Sequence, residues 1–297
     1  MDTTCPAAVG TPDALTTTVA PPQPSWWVLA TAAVLLAAGW HQHFVWLWEK
    51  GWHNEYYGHG PLIPLIAAYL IYRRRAEMAA ASREGFAAGL PLMVLGLALH
   101  LVAIIKDVNF PQGFALVTVI IGLVIWLWGW PATRVILFPL VFLLFMVPMG
   151  RLLVDTFAQP MQLWGARIAA GGAAFLGMPV VREGTALHLP NYRLEVAIPC
   201  SGLKSAIAMT ALGALYAYVL VAPMGKRLLI FAMSLPAALV GNAARLGLTL
   251  VMAQSLGPSA AEGFFHSLSG MFVFLIALLA LFGFGSLIGC AQIRDDI

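Results

Sequence analysis

An all-helical protein that crosses a membrane about eight times is what this chain of 297 residues predicts. Three observations carry that expectation. Hydrophobic residues make up 61% of the chain and charged residues only 10%, where soluble domains carry about 25% charge. The mean hydropathy is +0.85. The apolar residues also fall in runs of roughly 20, the length needed to cross a hydrocarbon layer of about 30 Å. Such a chain is not a soluble enzyme, a disordered protein or a nucleic-acid binder, and its formal charge of +3 reflects loop Lys and Arg. Three cysteines cannot make a disulfide scaffold.

The elements follow in order. Residues 1–25 are rich in Thr, Pro and Ala and lack Lys and Arg, so they predict a mobile tail, not a cleaved leader. Eight apolar segments come next: Trp26–Trp48, Gly60–Tyr72, Phe86–Ile105, Gly113–Trp130, Thr133–Met149, Cys200–Val221, Leu228–Gln254 and Phe264–Ile288. Together they predict one transmembrane domain over 26–290, followed by a short tail at 291–297. Between the fifth and sixth segments, Gln159, Pro160, Gln162 and Arg167 interrupt the apolar pattern of Arg151–Val181, which predicts an interfacial or re-entrant helical segment. Thr185–Ile198 then alternates around Pro190-Asn191, as a small β-hairpin does.

Basic residues in short loops set the orientation. Arg73, Arg74, Arg75, Arg83, Arg134, Lys226, Arg227 and Arg294 fall on the side of the termini, and only Lys50 and Lys106 on the other. The termini are therefore expected in the cytoplasm, and the long loop 150–199 outside.

Ionisable residues inside spans are expensive and mark function by default. None of the 13 Asp and Glu lies in the core of a predicted span. This argues against intramembrane aspartyl chemistry. Lys204 and Arg245 are the basic residues within spans, and His100 and His266 the clearest histidines. Arg245 lies 17 residues after Leu228, about 25 Å along a helix, near the outer boundary. Cys200 and His266 open their spans at that same boundary. Three residues distant in sequence thus converge at one depth.

Cys5 and Cys290 are expected inside and Cys200 outside, so no intramolecular disulfide claims Cys200. With Pro199 at a first helical position, Cys200 is expected in a first turn whose dipole and free amides favour a thiolate. Lys204 at i+4 would share its face. Asn242 and Thr249 flank Arg245 on one face, with Asn242 expected to orient it. Each residue alone has a bland reading: a small buried hydrophobe for Cys200, a snorkelling cation for Arg245, an interfacial ring for His266. The convergence is what favours chemistry. His41, His43, His53 and His59 lack carboxylates at ligand spacing, so neither metal nor other cofactor is expected. A transporter, or a scaffold subunit of a polysaccharide export system, is the competing class; no internal repeat supports it.

At these residues the sequence resembles the exosortase family of bacterial membrane cysteine transpeptidases. The matching stretches are Tyr57-Gly58-His59-Gly60-Pro61-Leu62-Ile63-Pro64-Leu65-Ile66, closing on Arg73-Arg74-Arg75, and Leu194-Glu195-Val196-Ala197 leading into Cys200-Ser201-Gly202-Leu203. Gly241-Asn242-Ala243-Ala244-Arg245 and Gly263-Phe264-Phe265-His266-Ser267-Leu268-Ser269-Gly270 follow. The resemblance implies a catalytic set of Cys200, Arg245 and His266, supported by Ser201, Gly202, Lys204, Asn242, His59 and Glu195. It further implies that the clients are exported proteins ending in a Pro-Glu-Pro motif, a transmembrane helix and a basic tail. They would be cleaved at the outer face of the inner membrane and passed to an acceptor, a glycan or a lipid-linked group.

Overall fold

The computed structural model describes residues 24–82, 84–257, 264–289 and 292–294. The tail expected at 1–25, apart from its last two residues, therefore lies outside the described residues, as do Arg83, Cys5, Cys290 and most of the tail at 291–297.

The chain is mostly helical with one small sheet. Helix α1 (Trp26–Gly39) ends at Gly39, and the chain turns by 68° into α2 (His41–Trp46), which continues as a π turn to Gly51. Trp40 fixes the break: its indole donates to the Gln112 carbonyl at 2.9 Å and stacks on His100 at 4.0 Å. Next come α3 (Leu62–Arg73), α4 (Arg75–Ala80), α5 (Gly89–Ile105) and α6 (Phe110–Val135).

Helices α5 and α6 form a hairpin with a glycine seam. A Cβ on Gly89 would collide with the Gly122 carbonyl, and one on Gly96 would lie 2.6 Å from Val119 Cγ2. Helix α6 breaks at Gly129, where φ is 83° and ψ 170°, two residues before Pro131. Proline cannot donate to the helix ladder; two residues on, Thr133 Oγ1 donates to the carbonyl of Gly129 at 2.7 Å.

After α7 (Leu137–Phe142) comes a continuous helical stretch. It runs through α8 (Gly150–Leu153), a π turn at Val154–Ala158 and α9 (Gln159–Phe175). A meander follows, with β1 (Val181–Glu183), β2 (Ala186–Leu189) and β3 (Tyr192–Glu195) antiparallel in the order β1-β2-β3. Leu187 faces Leu194 across the β2–β3 pair, and Leu189 faces Tyr192 around Pro190-Asn191. The hairpin expected there is present, and β1 extends it to three strands. The remaining helices are α10 (Leu203–Val219), α11 (Met224–Leu256) and α12 (Phe264–Leu287).

Among the described residues, four helical stretches are long and apolar enough to span: Phe86–Ile105, Phe110–Val135, Ile198–Val219 and Met224–Leu256. The bent pair α1–α2 makes a fifth if it acts as one span. Leu62–Arg73, Leu137–Met146 and Phe274–Leu287 are apolar but shorter. The segments expected as separate spans at Gly60–Tyr72 and Thr133–Met149 are thus short helices set off by breaks, the second by the Gly129–Pro131 kink.

Two apolar cores place the site. In one, Ala166, Ala169 and Ala173 of α9 receive Leu187, Leu189 and Leu194 of the sheet, with Leu246 and Leu250 of α11 closing it. The alanine stripe lets the sheet approach the helix closely. In the other, Met209 of α10, Ile230 and Ala238 of α11, and Ala277 and Leu281 of α12 interlock. The sheet is therefore pinned over the Arg245 end of α11, and the chain leaving β3 passes directly into the Cys200 turn.

Candidate active site

Cys200 ends a 3-10 turn, Ile198–Cys200, whose last amide donates to the Ala197 carbonyl at 2.9 Å. Helix α10 begins only at Leu203, so Cys200 does not occupy its first turn as the Pro199 signal predicts. The reason lies at Gly202. Its φ of +85° is left-handed, and this breaks the chain between the short turn and the helix. Ser201 is fully buried, and its Oγ accepts the amide of Leu203 at 3.2 Å, serving the first turn of α10. Lys204 is exposed. The i+4 relation to Cys200 is lost because the two residues do not share a helix.

Asn242, only 4% exposed, donates its amide from Nδ2 to the Cys200 carbonyl at 3.0 Å. A Cβ on Gly202 would lie 2.7 Å from both Cβ and Cγ of Asn242. Gly202 is thus required twice, by its φ and by the space Asn242 takes. Asn242 positions the cysteine turn; the expectation that it orients Arg245 is not what its hydrogen bond does.

Arg245 follows Asn242 by three residues, one turn along α11 on the same face. The side chain is half-buried, and among the described residues its Nε and Nη2 are buried without a hydrogen-bond partner. Such donors are costly to leave unmade. Arg245 borders a small cavity lined also by Ser205, Met209, Gly241, Asn242, Phe274 and Ala277, drawn from α10, α11 and α12, with a volume of about 10 Å³. That is roughly the space of one water molecule. Thr249 spends its hydroxyl on the Arg245 carbonyl at 3.0 Å.

The backbone of His266 lies in the first turn of α12, and its side chain lies outside the described residues. It precedes Phe274 by eight residues, about 12 Å of helix. The helix that carries His266 therefore reaches the Arg245 cavity through Phe274 and Ala277. Cys200 and the Asn242–Arg245 turn are joined by a hydrogen bond, and α12 supplies the third wall.

Other expected residues sit farther out. Glu195 is exposed on β3 and pairs with Arg193 at 3.2 Å, away from the cysteine turn. His59 stacks on Tyr57 with ring centroids 5.9 Å apart, and its Nε2 is buried without a partner. Burial holds its imidazole below the ordinary value of 6.5. The hydroxyl of Tyr57 accepts the amide of Met149 at 3.1 Å. Gln162 was legible only as a polar interruption of α9. It donates from Nε2 to the Val196 carbonyl at 2.7 Å, clamping the strand exit four residues before the thiol. A lone amide in an apolar helix was the signal, and it marked a tether.

A family model for transmembrane exosortases matches residues 48–283. The chain belongs to that family. Neither a curated protein nor a solved structure matches it. The exosortase match runs from the π turn after α2 almost to the end of α12, so it takes in the cysteine turn, the Asn242–Arg245 turn and His266. Exosortases are membrane proteases and transpeptidases, and this member is a multi-pass membrane protein.

Proposed function

We propose that this exosortase is a cysteine transpeptidase working at the outer face of a bacterial inner membrane, with its termini in the cytoplasm. The observation that carries the reading is the Asn242–Cys200 hydrogen bond at 3.0 Å. It ties a thiol to the helical turn bearing a guanidinium whose Nε and Nη2 have no partner. The thiolate of Cys200 attacks the scissile carbonyl of an exported protein near a Pro-Glu-Pro motif, forming an S–C bond. The carbonyl electrons move to oxygen, where the planar, permanently charged Arg245 donates to the oxyanion. As that oxygen's electrons return, the C–N bond breaks and His266 gives its proton to the departing amine. The thioester then passes its acyl group to an acceptor whose proton His266 takes up, and the Cys200 thiolate and protonated His266 are restored. With water as acceptor the same steps are hydrolysis. The acceptor proposed here is a glycan or a lipid-linked group.

The test is processing of a tagged client ending in Pro-Glu-Pro, an apolar span and a basic tail. Cys200→Ser should abolish processing at normal protein level. Arg245→Lys keeps the charge but loses the fork, and should slow it about 100- to 1000-fold, the scale of a lost oxyanion donor. Normal processing by Cys200→Ser ends the proposal. An impermeant thiol reagent on spheroplasts should label Cys200 and not Cys5; the reverse pattern would invert the orientation.

A further inference from the structure

A second feature adjoins the cysteine turn without belonging to it. Between α6, α7, the 150–161 segment, α10 and the first half of α11 lies a groove of about 970 Å³. Its walls are apolar, with Phe114, Phe138, Phe145 and Phe231 among them. Leu203 and Tyr218 line its two ends, and 15 residues of α10 separate them, about 22 Å. That exceeds one leaflet of a hydrocarbon layer about 30 Å thick. The groove opens sideways: on its lips Val141, Phe157 and Leu228 are 42%, 50% and 59% exposed.

The two ends differ in charge. At the Leu203 end no charged residue lines the groove among the described residues. At the other end stands Arg227, among the described residues the single charged one in the lining, with its Nε buried and unpartnered among them. Beside it, Arg74 donates to the Tyr218 hydroxyl at 3.4 Å, and Arg294 lies 5.6 Å from the Tyr218 ring. Among the described residues Glu77 is the carboxylate paired there, with Arg74. An apolar slot ending on the Arg227 guanidinium matches an amphiphile with an anionic head. A protein span has no need of cations at its end, and one with a basic flank is repelled by them.

We propose that the groove binds one anionic phospholipid, its phosphate on Arg227 and an acyl chain along α10 toward the cysteine turn. Lipid occupancy is independent of the peptidase chemistry, so either reading can fail alone.

The full-length chain in detergent should be titrated with phosphatidylglycerol, phosphatidylcholine and inorganic phosphate, and binding read by native mass spectrometry and thermal shift. Phosphatidylglycerol should bind about tenfold more tightly than phosphatidylcholine, the scale of one charge-assisted contact. Arg227→Gln should erase that preference, and Arg227→Lys should keep most of it. Ala214→Trp, which fills the slot, should weaken both lipids while the helical circular dichroism signal is unchanged. If Ala214→Trp fails to fold, the Arg227 pair alone decides. Equal binding of the two lipids, or an unchanged preference in Arg227→Gln, overturns the proposal. A shift by inorganic phosphate as large as by phosphatidylglycerol would reduce the site to an anion contact. Displacement of the lipid by an apolar helical peptide, equal in wild type and Arg227→Gln, would assign the groove to a protein span.

Discussion

The α5–α6 hairpin and the Cys200–Asn242 junction both depend on glycine, and for different reasons. In the hairpin, Gly89, Gly96 and Gly122 lie in ordinary helix and are there so that two backbones touch; a Cβ on Gly122 would lie 2.8 Å from the amide nitrogen of Met93. At the junction a single glycine serves, because Gly202 takes a left-handed φ of +85° and faces a side chain, not a backbone. Polar groups divide the same way. Around the hairpin they close on main chain: Thr133 on Gly129, Trp40 on Gln112. At the junction Asn242 closes on Cys200, yet Arg245 one turn away keeps Nε and Nη2 unspent. In the first region these glycines and hydrogen bonds serve the packing of two helices. The second leaves donors in reserve, which suits a charge that appears only during a reaction.

Matched glycine substitutions break the comparison most sharply. Gly202→Ala should lose client processing at least about 100-fold, because displacing a nucleophile by roughly 1 Å costs on that order. Gly96→Ala, whose added Cβ meets Val119 Cγ2 at 2.6 Å and the Ala115 carbonyl at 3.1 Å, should instead lower stability by about 1–3 kcal/mol, the usual cost of overpacking. Its processing rate per folded molecule should be unchanged. Thermal melts beside client processing separate the two. Should Gly96→Ala cut the rate as deeply as Gly202→Ala, the hairpin is part of the machinery.

Asn242→Leu tests the junction next. It removes the donor to the Cys200 carbonyl and leaves that carbonyl unpaired, a penalty of about 1–3 kcal/mol. Processing should fall about 10- to 100-fold with a smaller change in melting. Asn242→Gln carries the same amide one carbon farther and should not restore the rate. A role confined to Arg245 predicts instead that iodoacetamide alkylates Cys200 at the wild-type rate in Asn242→Leu; a changed rate follows if the turn has moved.

Much of this was legible beforehand, and the reasons differ by residue. Composition and run length announce a membrane-embedded helical chain, because the bilayer imposes one length scale on every span. The approach of Cys200 to the Arg245 end of α11 follows from the same arithmetic: depth is residue count times helical rise. The hairpin at Pro190-Asn191 was visible in its alternation. Span boundaries were not, since an apolar residue packs equally well in a broken helix; the kink at Gly129 sits beside Pro131, and the 68° turn after α1 is where Trp40 meets Gln112 and His100. The start of α10 was misplaced because Pro199 is as much at home opening a 3-10 turn as an α-helix. Nothing local to Gly202 announced a left-handed residue, and the second need for a glycine there is created by Asn242, 40 positions later. The direction of the Asn242 hydrogen bond was hidden likewise, since helical spacing names neighbours on one helix and is silent about other elements.

Gln162→Leu probes a tether at the edge of the site. Losing its hydrogen bond to the Val196 carbonyl should cost about 1 kcal/mol, the net value of one such bond, with somewhat more if the carbonyl stays dry. The sheet still packs on the α9 alanines, so the fold should survive and processing fall only a few-fold. Limited proteolysis within 181–197 should report the loosened strand exit. Unaltered cleavage there would mean that packing alone holds it.

The smallest effect concerns His59, outside the junction but on the same loop as Tyr57. Burial lowers its pKa from the ordinary value of 6.5, so the folded chain favours the neutral ring and the unfolded chain takes up the proton first. The sign follows from linkage: the unfolded state binds more protons as pH falls through 6.5, and stability declines with it. Above that value the contribution is fully present. His59→Gln removes the titrating group while keeping a polar side chain of similar reach. The melting temperature of wild type should therefore drop more than that of His59→Gln between pH 7.5 and pH 5, conditions spanning the ordinary histidine range of about 6.5. Parallel curves for the two proteins would show that the ring is solvated and that the loop carrying Tyr57 opens in the native state.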